Sequence, residues 1–337
     1  MKPQSKIFRL LIVKTSSLGD LVHTLSAVEE ALRHRPDIKI DWVCEEGLVD
    51  IPRLIPKIDR VIPLAIRRWR CNLFKRSTWR EIHQFIQKIR EHRYDCVIDA
   101  QGLIKTMWVV AASNSKRQNC WGYSLSTIKE PLASLVCGRH VQSPITDHSI
   151  ERLRHLFAAA LSYAADGPPL GLERPLVIEH SREILFLHGT SRPEKLWPTQ
   201  HWISLGKQMT QMGYRVAIPA GSELEARRAN TLASAIGSDA IVLEQLSVAD
   251  LGNRIRHAAG VVGVDSGLMH LAVALNRPTV AIMTADHQLK FLAKRFAPFW
   301  AAHAAVVVPH QVGADITPSM VFSAWQGLEH PPRHEAI

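Results

Sequence analysis

The sequence predicts an α/β protein made of two doubly wound domains, and three observations lead to that prediction. Apolar runs of strand length alternate with segments of helical periodicity along the whole chain. The 337 residues, of which 46% are hydrophobic, suffice for two separate cores. Between the halves, residues 165–171 combine Gly and Pro and are typical of a linker. We therefore expect an N-terminal domain over 1–165, a linker over 166–183, a C-terminal domain over 184–316, and a helix with a tail over 317–337.

The N-terminal half should contain parallel strands, because short apolar runs are separated by helical segments. The predicted strands are 8–13, 38–43, 61–64 and 94–99. Between the last two, apolar residues recur at helical spacing from Trp79 to Ile89. Thr78 and Glu81 have the spacing of a capping box, which predicts that this helix begins near Thr78.

The C-terminal half repeats the alternation. The predicted strands are 184–188, 214–218, 240–243, 261–264 and 279–283, and the predicted helices are 198–212, 223–236 and one from 317 through 325. In doubly wound sheets, ligands bind at the carboxyl ends of the strands. The loops that follow these strands are therefore the candidate sites.

The positive charge of the chain lies entirely in its first half. Residues 1–165 carry 26 Lys and Arg against 16 Asp and Glu, whereas residues 166–337 carry 15 of each. Such asymmetry favours an anionic partner for the N-terminal half over a merely solubilising surface. The five cysteines show no C-x-x-C spacing, which fits a reducing cytosol without disulfides or a zinc site. We expect a cytoplasmic protein, since no apolar run approaches the ~18 residues needed to cross a bilayer.

Missing motifs exclude several classes of enzyme. The chain has no G-x-G for a nicotinamide or flavin, no Walker-type phosphate loop and no G-x-S-x-G elbow. It also has no D-x-D pair to clamp a metal on a sugar nucleotide. We therefore expect no cofactor and no metal, with helix ends and side chains meeting any phosphate charge.

Two loops between a strand and a helix carry the strongest functional signals. Asp265, Ser266, Gly267, Leu268 and His270 open a helix whose first N–H groups suit a diphosphate. In the other half, Ser17, Gly19 and Asp20 form a polar loop whose carboxylate is a candidate base. A carboxylate at a helix start is also favoured by the helix dipole regardless of function.

Other loops after predicted strands add candidate ligands. Thr190 and Ser191, with Lys195 beyond them, combine hydroxyls and an ammonium that suit phosphate oxygens. Glu225 follows a strand where a ribose can lie, although a solvated glutamate explains it nearly as well. His270 can donate to a phosphate.

The densest basic patch comprises Arg67, Arg68 and Arg70, with Lys75, Arg76 and Arg80 beyond it. Arginine forks match carboxylate and phosphate oxygens in pairs. Nucleic acid is the competing interpretation, but no nucleic-acid-binding module is present and we expect no such partner. Gln101 and Lys105, after the strand 94–99, are expected to add to the same pocket.

Together these motifs resemble the lipopolysaccharide heptosyltransferases, glycosyltransferase family 9, over nearly the whole chain. The arginine block and the Asp-Ala-Gln-Gly block point to members that add the first heptose of the inner core. The matching segments are KTSSLGD (14–20), DWV (41–43) with EEG (45–47), IRRWR (66–70), DAQGL (99–103), EPLAS (130–134), KLWP (195–198) and VDSGL (264–268).

The resemblance implies a GT-B architecture, two Rossmann-like domains facing a cleft, with the acceptor on the N-terminal side and the donor on the C-terminal side. It implies inverting transfer of heptose from ADP-heptose to a Kdo sugar of Kdo2-lipid A at the cytoplasmic face of the inner membrane, which the enzyme contacts peripherally. Asp20 is then the general base, Asp265 contacts the heptose, Glu225 the ribose and Leu246 the adenine. The diphosphate is assigned to Thr190, Ser191, Lys195, Ser266, Gly267 and Leu268, and the acceptor to Ser17, Gly19, Arg67, Arg68, Arg70, Gln101, Lys105 and Lys129.

The chain departs from the family pattern in three places. After the strand 279–283 it has MTADH (283–287) instead of a Gly-Pro-Thr-Asp-Pro-like turn. Lys129 stands where close relatives carry Arg, and Pro193 replaces a polar residue.

Three alternatives stay open at the level of sequence. The chain could use another nucleotide sugar, as a second heptosyltransferase or a different transferase would. It could bind anionic lipid or nucleic acid without catalysis, which would require neither Asp20 nor the phosphate loop. A GT-B epimerase would need paired carboxylates around its donor.

Overall fold

The chain forms two compact units, Met1–Leu172 and Glu173–Ile337. The computed structural model describes residues 7–169, 171–172, 181–284, 295–309, 311 and 314–329. Each unit contains one six-stranded sheet in which every described pair of neighbouring strands is parallel. The α/β fold class predicted from the sequence is therefore confirmed.

The sheet of the N-terminal unit has the strand order β3-β2-β1-β4-β5-β6. Its strands are β1 Arg9–Val13, β2 Lys39–Glu45, β3 Ile58–Leu64, β4 Cys96–Asp99, β5 Cys120–Tyr123 and β6 Arg139–Val141. The helices between them are α1 Leu18–His34, α2 Ile66–Arg70, α3 Arg76–Arg90, α4 Ile104–Ala112 and α5 Ser149–Leu161. The order reverses next to β1, so the carboxyl ends of β1, β2 and β4 lie side by side.

The core of this unit forms because β1 is apolar on both faces. Residues 10–13 are fully buried between the helices that cover the sheet. Helix α1 packs against α5 through a buried ion pair, in which the Arg154 guanidinium contacts the Glu30 carboxylate at 2.8 and 2.9 Å. This bidentate pair satisfies both charges inside the unit.

The sheet of the C-terminal unit has the strand order β12-β11-β10-β7-β8-β9. Its strands are β7 Glu183–Leu187, β8 Arg215–Pro219, β9 Ala240–Leu243, β10 Gly260–Val264, β11 Thr279–Ile282 and β12 Ala304–Val307. Its helices are α6 Thr199–Gln211, α7 Glu223–Ile236, α8 Val248–His257, α9 Gly267–Ala274 and α10 Pro318–Glu329. The carboxyl ends of β10, β7, β8 and β9 lie next to one another in that order.

Aromatic side chains anchor the core of the C-terminal unit. Trp202 packs against Phe186 and Trp197, with ring centroids 4.9 and 5.0 Å away. The Trp197 indole N–H donates to the carbonyl oxygen of Ile316 at 2.7 Å, so its polar edge is satisfied. The segment before α6 is thereby tied to the segment before α10. Because Lys195 lies in the segment before α6, this contact helps to fix its position.

The predicted strands all occur, with ends within three residues of the prediction, and α7 has the predicted bounds. Strands β5, β6 and β12, with helices α2, α4, α5 and α8, were not predicted. The predicted linker falls partly at residue 170 and residues 173–180, which lie outside the described residues.

The predicted capping box at Thr78 and Glu81 is wrong. Helix α3 begins two residues earlier, at Arg76. The Thr78 hydroxyl donates to the Asn72 carbonyl oxygen, and the Glu81 carboxylate accepts from the Trp69 indole and from Arg68. Glu81 thus ties α3 to α2, and Thr78 ties it to the turn between the two helices. Local spacing does not reveal such contacts between elements.

In the part of the chain that the structure describes, no helix combines the length and the apolar character that crossing a membrane requires.

Candidate functional site

The loop between β1 and α1 holds the Asp20 carboxylate in one orientation. The backbone N–H and the hydroxyl of Ser17 both donate to Asp20 Oδ2 at 2.9 Å. The side chain of Asp20 is 42% exposed, so a substrate hydroxyl can reach the carboxylate. Ser17 itself is exposed and Gly19 half-buried. The loop therefore presents an accessible carboxylate on a fixed backbone.

A buried ammonium keeps that carboxylate ionised. Lys14 Nζ lies 3.5 Å from Asp20 Oδ1 and donates to the Ala100 carbonyl oxygen at 3.0 Å. Burial raises the pKa of Asp20, but Lys14 and the Ser17 hydrogen bonds outweigh it and leave the pKa below its ordinary value. At neutral pH Asp20 is an anion, the form that a proton acceptor must have.

The segment after β4 clamps the Asp20 loop from the neighbouring strand. Gln101 Oε1 accepts from the backbone N–H of Thr15 at 2.9 Å and of Ser16 at 3.1 Å. Gln101 was predicted as an acceptor ligand, and the structure shows its carbonyl oxygen holding the loop instead. Any contact between Gln101 and an acceptor remains a prediction.

Asp99 fixes the turn that carries this clamp. Its Oδ1 accepts from the backbone N–H groups of Gln101 at 3.1 Å and Gly102 at 3.0 Å. Gly102 has φ +63°, a conformation that favours glycine, which lets the chain turn sharply after β4. Burial raises the pKa of Asp99 to about 6, although the two N–H groups and Lys14 oppose the rise.

Charged groups from β2 and α4 surround the same loop. Lys105 Nζ donates to the Ser16 hydroxyl at 2.8 Å. Burial raises the pKa of Glu45, while the charges of Arg67 and Lys105 lower it. Lys105 was predicted from its place after β4, whereas no functional role was assigned to Glu45. Its position at the carboxyl end of β2, beside β1, is the signal that could have identified it.

The three arginines of the basic patch have different surroundings. Arg68 contacts Glu46 through two hydrogen bonds of 3.1 Å and Glu81 at 2.8 Å, so two carboxylates occupy its guanidinium. Arg67 and Arg70 are exposed. Lys129 is exposed as well, and its neighbour Glu130 accepts from the first N–H of α4 at 2.6 Å.

In the C-terminal unit, the predicted diphosphate loop centres on the Asp265 carboxylate. Lys195 Nζ donates to Asp265 Oδ2 at 2.5 Å, and His270 Nε2 lies 3.3 Å from Asp265 Oδ1. Burial raises the pKa of Asp265, but His270 and Lys195 more than offset this and hold it far below its ordinary value. Loops after β7 and β10 therefore meet in one charged cluster.

Hydroxyls and helix N–H groups lie beside that cluster. Thr190 Oγ1 donates to the Asp265 carbonyl oxygen at 3.3 Å. Ser266 caps α9, where its hydroxyl oxygen accepts from the Met269 N–H at 3.4 Å. The N–H groups that open a helix, here at Gly267 and Leu268, have no acceptor within the helix. Ser191 is exposed in the loop after β7. The arrangement suits a diphosphate.

Glu225 lies against two glycines at the ends of neighbouring strands. Its Oε2 accepts from the Gly221 N–H at 2.7 Å. A Cβ atom built on Gly189 would lie 2.3 Å from Glu225 Oε1, so the absence of a side chain there leaves room for the carboxylate. Glu225 thus reaches from α7 across to the loop after β7, where a ribose bound beside the diphosphate could meet it.

Leu246, the predicted adenine contact, is 38% exposed in the loop between β9 and α8. The departure at 283–287 falls only partly within the structure, because residues 285–294 lie outside the described residues. Among the residues that the structure does describe, no three His, Cys, Asp or Glu side chains form a group able to hold a metal ion.

Comparisons with known proteins agree with this arrangement. The model of glycosyltransferase family 9 (heptosyltransferase) matches residues 82–308. Lipopolysaccharide heptosyltransferase 1 of Pseudomonas aeruginosa is 41% identical over 279 residues, covering 81% of this chain and 78% of that protein. The protein of the same name from Escherichia coli K12 is 38% identical over 285 residues, covering 81% and 87%.

A solved structure extends the likeness to the fold. The structure described as E. coli heptosyltransferase WaaC with ADP superposes with a TM-score of 0.84 at 34% sequence identity. The match covers 96% of this chain and 99% of that one. The likeness confirms a GT-B-like fold, with one parallel six-stranded sheet in each unit.

Proposed function

Because the chain belongs to glycosyltransferase family 9, the heptosyltransferases, we propose that it transfers heptose from ADP-heptose to a Kdo sugar of Kdo2-lipid A. This reaction is a step in the synthesis of the lipopolysaccharide inner core. The membrane-bound acceptor places the enzyme at the cytoplasmic face of the inner membrane, in peripheral contact with its anionic surface. Membership in a family of enzymes removes the alternative of a non-catalytic binder.

The observation that carries the proposal is the ionised, accessible Asp20 carboxylate held by Ser17 and Lys14. In an inverting transfer, the acceptor oxygen bonds to the anomeric carbon while the bond from that carbon to the diphosphate oxygen breaks. The proton of the acceptor hydroxyl passes to Asp20, and ADP leaves with the bonding electrons. A carboxylate fixed beside the attacking hydroxyl both orients that hydroxyl and accepts its proton.

The donor is assigned to the C-terminal unit. Lys195, Thr190 and Ser191 with the opening N–H groups of α9 meet the diphosphate, whose negative charge grows as the bond breaks. His270 contributes a further donor. Asp265 contacts the heptose, Glu225 the ribose hydroxyls, and Leu246 packs on the adenine.

The acceptor is assigned to the N-terminal unit, where the positive charge is concentrated. Arg67 and Arg70 are exposed. We assign them to phosphates and carboxylates of the acceptor. Ser17 and Gly19, in the loop that carries Asp20, and the exposed Lys129 are assigned to the acceptor. Lys105 and Gln101 act mainly by holding the loop. Arg68 holds α2 in place through its ion pairs with Glu46 and Glu81. We therefore assign it no direct contact with the acceptor.

A direct test incubates the purified protein with ADP-heptose and Kdo2-lipid A and measures the mass of the lipid. The expected product carries one added heptose. ADP-glucose and UDP-N-acetylglucosamine, supplied in parallel, test the alternative donors. No gain in mass with ADP-heptose, or a gain only with another nucleotide sugar, would overturn the proposal.

A further inference from the structure

The turn between α2 and α3 exposes three large apolar side chains. Leu73 is 46% exposed, Trp79 59%, and Phe74 shows no burial at all. The Trp79 indole N–H donates to the Leu73 carbonyl oxygen at 2.8 Å, which brings Trp79 beside the turn. Contiguous apolar groups of this size on a surface usually mark an interaction site.

Hydrogen bonds fix the backbone of this turn, and the fixed backbone keeps the three apolar side chains on the surface. The backbone N–H of Lys75 donates to the Asn72 carbonyl oxygen at 3.0 Å, and the hydroxyl of Thr78 donates to the same oxygen at 2.8 Å. The Asn72 amide donates to the Arg68 carbonyl oxygen at 3.0 Å. Thr78 itself is buried. The exposure of Phe74 is therefore a property of an ordered segment.

Positive charge surrounds the apolar groups. Residues 66–80 contain six Lys and Arg and no Asp or Glu. Arg68 is neutralised by Glu46 and Glu81, but Lys75, Arg76 and Arg80 are exposed. No carboxylate among the described residues lies within ion-pair distance of these three cations. The surface thus combines projecting apolar side chains with uncompensated positive charge.

We propose that Leu73, Phe74, Lys75, Arg76, Trp79 and Arg80, here called the Phe74 patch, dock the protein on an anionic phospholipid bilayer. Phe, Leu and Trp enter the boundary between headgroups and acyl chains, and Lys and Arg attract anionic headgroups. Burial of apolar side chains and attraction to anionic lipids add, so the two together bind the bilayer more strongly than either alone. A fully exposed Phe projects outward and does not line a groove, which suits a deformable lipid surface better than a folded partner. The inference rests on the proposed function in that the acceptor is a membrane lipid.

The test uses the full-length protein and vesicles that lack the acceptor lipid. We expect wild type to sediment with phosphatidylethanolamine vesicles containing phosphatidylglycerol and to bind far less without it. Phe74→Ser should weaken binding about tenfold or more, because one buried aromatic side chain is lost. Replacing Lys75, Arg76 and Arg80 together by Gln should lower the affinity for these vesicles roughly 100-fold at low salt, because each cation contributes about fivefold.

The matched control is Phe299→Ser. Phe299 is 61% exposed in the C-terminal unit, outside the patch, and its replacement should leave vesicle binding unchanged. Phe74→Ser and Phe299→Ser should both unfold at the wild-type temperature and keep the wild-type kcat on acceptor dispersed in detergent. Retained turnover separates loss of docking from damage to the site.

Three results would overturn the docking surface: no wild-type binding to anionic vesicles, equal binding by Phe74→Ser and wild type, or binding only when the vesicles contain the acceptor. The last would mean that the patch recognises the acceptor and not the bilayer. Vesicle binding without any heptose transfer would instead contradict the proposed function and leave the docking surface standing.

Discussion

The ammonium of Lys195 donates a 2.5 Å hydrogen bond to the carboxylate of Asp265, which joins the loops after β7 and β10. Without a donor, the carboxylate holds the ammonium in place beside the start of α9. In the proposed function, the oxygens of an entering diphosphate would offer the same ammonium a second anionic partner. The pair would then preposition a positive charge for the leaving group, in competition with Asp265 for that charge.

Lys195→Ala should slow the chemical step more than it weakens donor binding. Negative charge on the diphosphate grows as the glycosidic bond lengthens, so the ammonium matters most in the transition state. Lys195→Arg should rescue only in part, since a planar fork does not reproduce a compact charge. Single-turnover rates and titration with ADP-heptose separate the two effects. A defect in donor affinity alone would reduce Lys195 to a binding residue.

Arg67→Ala and Arg70→Ala should raise the KM for Kdo2-lipid A and leave the KM for ADP-heptose unchanged. Both side chains are exposed in the unit that carries the excess charge. The acceptor KM of wild type should rise with salt, and less steeply in the variants, because screening acts on these charges. Lys207→Ala, which removes an exposed cation from the other unit, is the control. A rise in the KM for ADP-heptose in these variants would contradict the assignment of the acceptor to the N-terminal unit.

The stability of the protein should depend on the titration of Asp99. Its pKa is about 6 in the folded protein against an ordinary value of 3.8, so between these pH values only the folded state holds the proton. Ionisation of Asp99 therefore lowers the free energy of unfolding as pH rises from about 4 to about 6, by an amount on the order of 3 kcal/mol.

Asp99→Asn tests this assignment, because the amide oxygen can still accept from Gln101 and Gly102 but cannot ionise. Denaturant unfolding of wild type and variant at several pH values gives the comparison. Relative to the variant, wild type should lose stability across that pH window. Stability curves that run parallel over the same window would contradict the raised pKa.

The sequence was sufficient to predict which loops carry the candidate site, because parallel strands bring their carboxyl ends together. Asp20, Thr190, Glu225 and Asp265 all follow strands that periodicity revealed. Strands β5 and β6 escaped detection, because they are three or four residues long and contain Gly, Arg and His.

Side-chain partnerships could not be predicted, since they depend on contacts between distant segments. Arg68 belonged to the basic block in the sequence, yet Glu46 and Glu81 neutralise it in the fold. Lys14, a residue of a matched motif without an assigned role, proved to be the buried partner of Asp20. Local spacing identifies where a residue lies along an element but not which charge it meets.

The central claim is that Asp20 accepts the proton of the attacking hydroxyl, and the single-turnover rate of Asp20→Asn tests it most directly. Asn keeps an oxygen for the Ser17 N–H, so the loop and donor binding should persist while the base is lost. The rate should fall by ~10²–10⁴-fold, the usual contribution of a positioned base. Asp37→Asn, which alters an exposed carboxylate paired with Arg35, should retain the wild-type rate. A near wild-type rate for Asp20→Asn on Kdo2-lipid A would contradict the mechanism.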